Sequence, residues 1–70
     1  MAKANKSNLA KRIEFLRKKR GLSQEKLARL ADVSNNTIIN IEAGINDNPT
    51  IETLRKIAKA FNVSVEELVK

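Results

Sequence analysis

Five short polar side chains crowd into one stretch: Ser34, Asn35, Asn36, Thr37 and Asn40. An asparagine amide donates and accepts at the same time, so it can pair with the N6 and N7 edge of adenine. At about 100° per residue, a helix that turns Ile38 and Ile41 inward places Asn36 and Asn40 nearly opposite them. Asn35 and Ile39 fall on the shoulder. Each helical Asn costs about 0.5 kcal/mol relative to Ala, so packing alone would not favour this composition. Two readings follow for Asn35, Asn36 and Asn40, contact with base edges or solvated filler, and Asn35 can also serve the helix start. Ile39 either touches a thymine methyl or packs on Ile45.

Other chemistry is scarce. The chain has no Cys and no His, which removes thiol nucleophiles, imidazole bases and the usual zinc sites. A helical chain of 70 residues also has little room for a deep pocket. We expect no enzyme activity, no metal and no cofactor. No stretch reads as a membrane span or a signal-peptide core, so the expected compartment is the cytoplasm.

The net charge of +6 is unevenly placed. Residues 1–20 carry eight bases and one acid, whereas residues 21–70 carry six bases and seven acids. A basic end of this kind suits a polyanion; it equally describes a solubilising surface. Lys3, Lys6 and Lys11 could reach phosphates from an arm over residues 1–7 and the helix after it, or simply be solvated.

Five short helices must position these groups, and residues 8–70 read as one all-α domain. Apolar residues are 41% and aromatics 3% of the chain, so the core must be Leu, Ile, Val and Ala with Phe15 and Phe61. The first helix spans Asn8 to Lys19, capped by Ser7 or Asn8, with Leu9, Ile13 and Leu16 inward and Gly21 ending it. Ser23 caps the second, Gln24 to Ala31, whose apolar face is Leu27, Ala28, Leu30 and Ala31. Ser34 caps the third, Asn35 to Ala43, and Gly44 stops it. The loop through Asn48 and Pro49 leads to a Thr50 cap and a fourth helix, Ile51 to Phe61, striped by Ile51, Leu54, Ile57, Ala58 and Phe61. Asn62 is expected as a left-handed terminator. Ser64 and Glu67 form a capping box for a fifth helix from Val65 to the chain end. That helix stops abruptly, which suggests a longer parent protein.

Helices two and three satisfy the demands of a helix-turn-helix unit. Ala28 permits a close crossing, Asp32 tolerates φ > 0 in the turn, Val33 plugs the corner, and Leu27, Ala31, Ile38 and Ile41 form the inner face. The run Gly21-Leu22-Ser23-Gln24-Glu25-Lys26-Leu27-Ala28, then Val33-Ser34-Asn35-Asn36-Thr37-Ile38 and Ile41-Glu42-Ala43-Gly44, resembles the Xre family, the phage Cro/cI-repressor type of helix-turn-helix domain. Asn48-Pro49-Thr50 and Leu54, Ile57 and Ala58 extend the resemblance over nearly the whole chain. Asp32 stands where the family often has Gly, and Ala43 replaces a frequent Arg or Asn.

The resemblance implies a compact five-helix, lambda-repressor-like domain that binds double-stranded DNA as a homodimer on a palindromic operator. From the residues of the third helix, base contacts are expected from Ser34, Asn35, Asn36, Thr37, Ile39 and Asn40. Phosphate contacts are expected at Ser23, Gln24, Lys11 and Asn46, and an ion pair is implied between Arg17 and Glu42. Val63, Val65 and Val69 are more aliphatic than this core needs, and they are the expected dimer contact. A repressor is the leading reading. The alternative is a protein-interaction module, such as the antitoxin of a toxin-antitoxin pair, with DNA binding secondary. An RNA-binding role is weakened by the absence of Tyr and Trp.

Overall fold

The computed structural model describes residues 8–69. The arm over residues 1–7, with Lys3, Lys6 and the alternative cap Ser7, lies outside the described residues, as does Lys70.

Five helices follow in order: α1 (Asn8–Lys19), α2 (Gln24–Ala31), α3 (Asn35–Glu42), α4 (Ile51–Phe61) and α5 (Val65–Val69). No strand occurs among the described residues. Three helix starts share one device. Ser23, Ser34 and Thr50 sit in extended backbone, and each side-chain oxygen accepts from the amide three residues on. Each such cap is worth about 1 kcal/mol. Ser64 Oγ accepts from the Glu67 amide at 3.2 Å in the same way.

Two helices end on a non-glycine left-handed residue. Asp32 (φ 60°) and Asn62 (φ 60°) return their amides to carbonyls of the last turn. A side chain in this region is strained by about 1–2 kcal/mol, and Asp and Asn bear it better than other residues. Asp32→Gly is therefore expected to be more stable than Asp32→Ala by about 1 kcal/mol. Urea midpoints of the two variants, measured at equal slope, check this. α3 ends one residue earlier than its sequence pattern suggests. Ala43 is the C-cap, and Gly44 turns left-handed at φ 80°.

α2 packs on α3 and α4, α1 on α3 and α5, and α4 on α5. Phe61, Ile13, Leu27, Ile38, Ile41, Ile57 and Leu68 are fully buried at the centre. Leu9, Leu16, Ala31 and Leu54 join them in the core, and Ala28 lies within the same cluster at 3% exposure, which allows the close helix crossing. Val33 packs against this core while remaining partly buried.

Three expected core residues lie outside it. Phe15 is 53% exposed, Leu30 54% and Ile51 56%. Phe15 is about 100° round the helix from Leu16 and away from the Leu9–Ile13–Leu16 stripe, so it points outward with Lys19 over its ring. Leu30 sits about 100° from the centre of the Leu27–Ala28–Ala31 face. Ile51 shares the direction of Ala58, but it stands in the first turn, beyond the reach of neighbouring helices. Conversely, Ala10 is fully buried, a position that α1's larger aliphatics overshadow in the sequence.

Candidate nucleic-acid interface

α3 is anchored from within. Ile38 and Ile41 are 0% and 1% exposed, and Glu42 on the same side is 4% exposed. The opposite side presents Asn35 and Asn36, both exposed, with Ile39 exposed and Asn40 half-buried. No cation lies on this helix. Its surface is therefore neutral amide and aliphatic, able to match hydrogen-bonding edges and methyl groups.

Ser34 and Thr37 engage each other. Ser34 Oγ accepts from the Thr37 amide at 3.1 Å, and the two hydroxyl oxygens stand 2.7 Å apart. Both are thus committed first to starting the helix. Each oxygen keeps a lone pair for one further bond. Asn46 is likewise engaged, its Oδ1 accepting from the Asn48 amide at 3.1 Å, while its amide nitrogen keeps its capacity to donate. The loop is tied to α3 by the Asn40 carbonyl, which accepts from the Ile45 and Asn46 amides at 2.9 and 3.0 Å. Ile45 itself is 74% exposed, so it does not serve as a covered packing partner for Ile39.

Glu42 is the hub that fixes α3 against the rest. Arg17 Nε donates to Glu42 Oε2 at 2.7 Å, and Arg17 Nη2 donates to Glu42 Oε1 at 3.0 Å, a two-pronged pair. Arg17 Nη1 donates to the Leu22 carbonyl at 2.8 Å, and Gln24 Nε2 donates to Glu42 Oε1 at 3.1 Å. The pair is well buried, at 12% and 5% side-chain exposure. Hydrogen bonding to Glu42 raises the Arg17 pKa above its ordinary range, against a smaller opposing effect of desolvation. One cluster thereby joins α1, the start of α2 and the end of α3.

Gln24 was expected at a phosphate. One of its two amide hydrogens is held by Glu42, and the other remains as a donor at the N-terminus of α2 beside Ser23. The Gln24–Glu42 contact has no local signature, because the partners are 18 residues apart along the chain and meet only through the tertiary crossing. The same holds for Arg12, which donates to the Glu67 carboxylate and backbone carbonyl, both at 3.1 Å. Lys11 is exposed on this α5-facing part of α1, in a shallow groove with Asn8, Arg12 and Phe15. Among the described residues, no hydrogen bond or ion pair joins it to α3. Val63 and Val65 are half-buried against the chain's own core, whereas Val69 is 49% exposed.

The helix-turn-helix family model matches residues 13–68. The chain belongs to the Xre-like helix-turn-helix family. Members similar to this helix-turn-helix chain include the transcriptional regulator SinR of Bacillus subtilis, 34% identical over 61 residues, covering 87% of this chain and 55% of SinR. The competence pilus inhibition repressor of Acinetobacter baylyi is 36% identical over 61 residues, covering 87% of this chain and 54% of that repressor. This helix-turn-helix chain thus spans just over half the length of both. A crystal structure of SinR in complex with DNA aligns with a TM-score of 0.85 at 34% identity, covering 89% of this chain and 98% of that one. Among the described residues, no helix is long and apolar enough to cross a membrane.

Proposed function

We propose that this helix-turn-helix regulator represses transcription in the cytoplasm by occupying a palindromic duplex-DNA operator as a homodimer, with α3 in the major groove. The observation that carries the reading is the face of α3: asparagine amides and Ile39 outward, directly behind two fully buried isoleucines. The likeness to a DNA-bound relative supports it. Asn36 and Asn40 face base edges, with Asn35 and Ile39 beside them. Ser34 and Thr37 touch the groove edge with the capacity their mutual bond leaves. Ser23 and Gln24 hold a phosphate at the α2 N-terminus, where helix amides and the helix dipole favour an anion. Asn46 takes another from the loop.

One recognition helix reads too few bases to be specific, so two must act together, about 34 Å apart on successive major grooves. Val69, with Val65 and Val63 behind it, is the proposed contact between copies. Analytical ultracentrifugation is expected to show a dimer on operator DNA. A monomer both free and on operator would contradict the symmetry.

Selection from genomic fragments, followed by binding titrations at several salt concentrations, tests the function itself. Operator is expected to bind about 10³-fold or more tighter than random duplex. Equal affinity for both would sink the reading. Lys11→Ala offers a finer check. If that cation meets a phosphate, operator and random binding weaken together, and the slope of log K against log salt falls by about 0.9. An unchanged slope places Lys11 away from the DNA. The protein-interaction alternative has no observation in its favour as the primary function.

A further inference from the structure

A second feature lies away from α3. Leu30, Ala31, Asp32, Lys56, Lys59 and Ala60 line an open groove of about 470 Å³ between the end of α2 and α4. Its apolar part is formed by Leu30, 54% exposed, with Ala31 and the half-buried Ala60. Leu30 has no role in the core, since it points off the inner face of α2. Two cations border the groove. Among the described residues, the contacts of Lys56 Nζ are long, 3.4 Å to the Asp32 carbonyl and 4.0 Å to Glu52. Lys59 is exposed, with no carboxylate in ion-pairing range among the described residues. Three residues apart on α4, these two ammonium groups share one face.

We infer that this groove docks an acidic segment of a partner protein, an amphipathic stretch that seats a bulky apolar side chain from one face and carries carboxylates around it. The apolar side chain lies on Leu30 and Ala60, and the carboxylates meet Lys56 and Lys59. Charge complementarity selects this occupant. A polyphosphate is disfavoured by the apolar lining and by Asp32 on the rim. A second copy is disfavoured as well. Of the chain's own acidic pair on α5, Glu67 is held by Arg12, while Leu68 is fully buried and the exposed Val69 is already assigned to the contact between copies. The groove opens at the C-terminal end of α2, whereas Ser23 and Gln24 mark the other end, about 10 Å along the axis. DNA and the acidic segment can therefore be held together.

The probe is the blocked peptide acetyl-Glu-Asp-Leu-Glu-Glu-Leu-Phe-Glu-amide, titrated into the ¹⁵N-labelled chain and followed by amide shifts. Shifts are expected to cluster at Leu30, Asp32, Lys56 and Ala60. Replacing the peptide's acids by amides, or its Leu and Phe by Ser, is expected to weaken binding about tenfold. Leu30→Ala and Lys59→Glu, both at exposed positions, are expected to do the same while circular dichroism stays unchanged. A short random duplex added in excess is expected to leave the peptide bound. Absent shifts, shifts clustered on the basic face of α1 or on α3, affinity indifferent to Leu30→Ala and Lys59→Glu, or displacement by duplex would each overturn the inference. The peptide titration decides it whether or not the chain binds an operator.

Discussion

Glu42→Ala is expected to destabilise the domain by about 3–5 kcal/mol. The carboxylate is 5% exposed and takes three hydrogen bonds, two from Arg17 and one from Gln24. Its removal leaves the Arg17 guanidinium well buried without its bonded counter-charge, and Glu14, acting only through space, offsets little of the desolvation cost of that cation. A chain of this length has about 4–10 kcal/mol of stability in total, so the loss is a large fraction of it. Arg17→Met should cost comparably, since it also frees the Leu22 carbonyl that Arg17 Nη1 now satisfies. Replacing both partners by apolar residues should recover part of the loss, because no buried charge is then left alone. Recovery is incomplete, as Leu22 and Gln24 still lose their partners. Urea unfolding of the single and double variants gives the coupling energy directly. A Glu42→Ala loss under about 1 kcal/mol would show a pair that behaves as a solvated surface contact. Alkaline titration gives a further check. The Arg17 pKa is raised on folding by its bonds to Glu42, so its contribution is complete at neutral pH and is lost only as pH rises through the strongly alkaline range. Between about pH 6 and 9 this cation should add no slope to stability.

The cluster also marks the boundary of what the residues disclose by themselves. Helix starts and stops were legible because each depends on neighbours within three or four residues. Ser23, Ser34 and Thr50 cap as their types require, and Asp32 and Asn62 adopt the left-handed turn that short polar side chains tolerate. Ile13, Leu27, Ile38 and Ile57 were legible as core because each lies at the middle of a stripe. Residues at stripe edges were not. Leu30 and Phe15 have the right chemistry, but their direction is set by where neighbouring helices stop covering them. Ile51 has the right direction at the wrong end of its helix. The Arg17–Glu42 pair came from family resemblance, since nothing local links those positions. Gln24–Glu42 and Arg12–Glu67 came from neither source, for their partners meet only through helix crossings. On the candidate interface, the side of α3 turned outward was legible from periodicity. That Ser34 and Thr37 bond one another was not, although a capping serine three residues before a threonine is a local signal that could have revealed it.

Asn36→Ala and Asn40→Ala are each expected to weaken operator binding by about 1–3 kcal/mol, a loss of roughly five- to 150-fold. An asparagine amide pairs bidentately with adenine, donating to N7 and accepting from N6, while Arg and Lys favour guanine. α3 carries neither Arg nor Lys, so the proposed base contacts fall to its amides and Ile39, with the Ser34 and Thr37 hydroxyls at the groove edge. Half-sites are accordingly expected to hold A·T pairs opposite Asn36 and Asn40, with a thymine methyl against Ile39. Asn36 is exposed at the second position of α3, so its replacement should leave the fold intact; Asn40 is half-buried, but the loop contacts it makes are through its backbone carbonyl, which Ala retains. Random-sequence binding should barely change, because neither substitution removes a charge and the counterion release that drives it is preserved. Affinity measured on operator and random duplex at the same salt separates the two effects. Substituting the facing A·T pair should then weaken the parent but leave the corresponding alanine variant indifferent, since the contact is already gone. Should both variants bind operator as tightly as the parent, α3 is not the helix that reads the groove, and the protein-interaction reading becomes the stronger one.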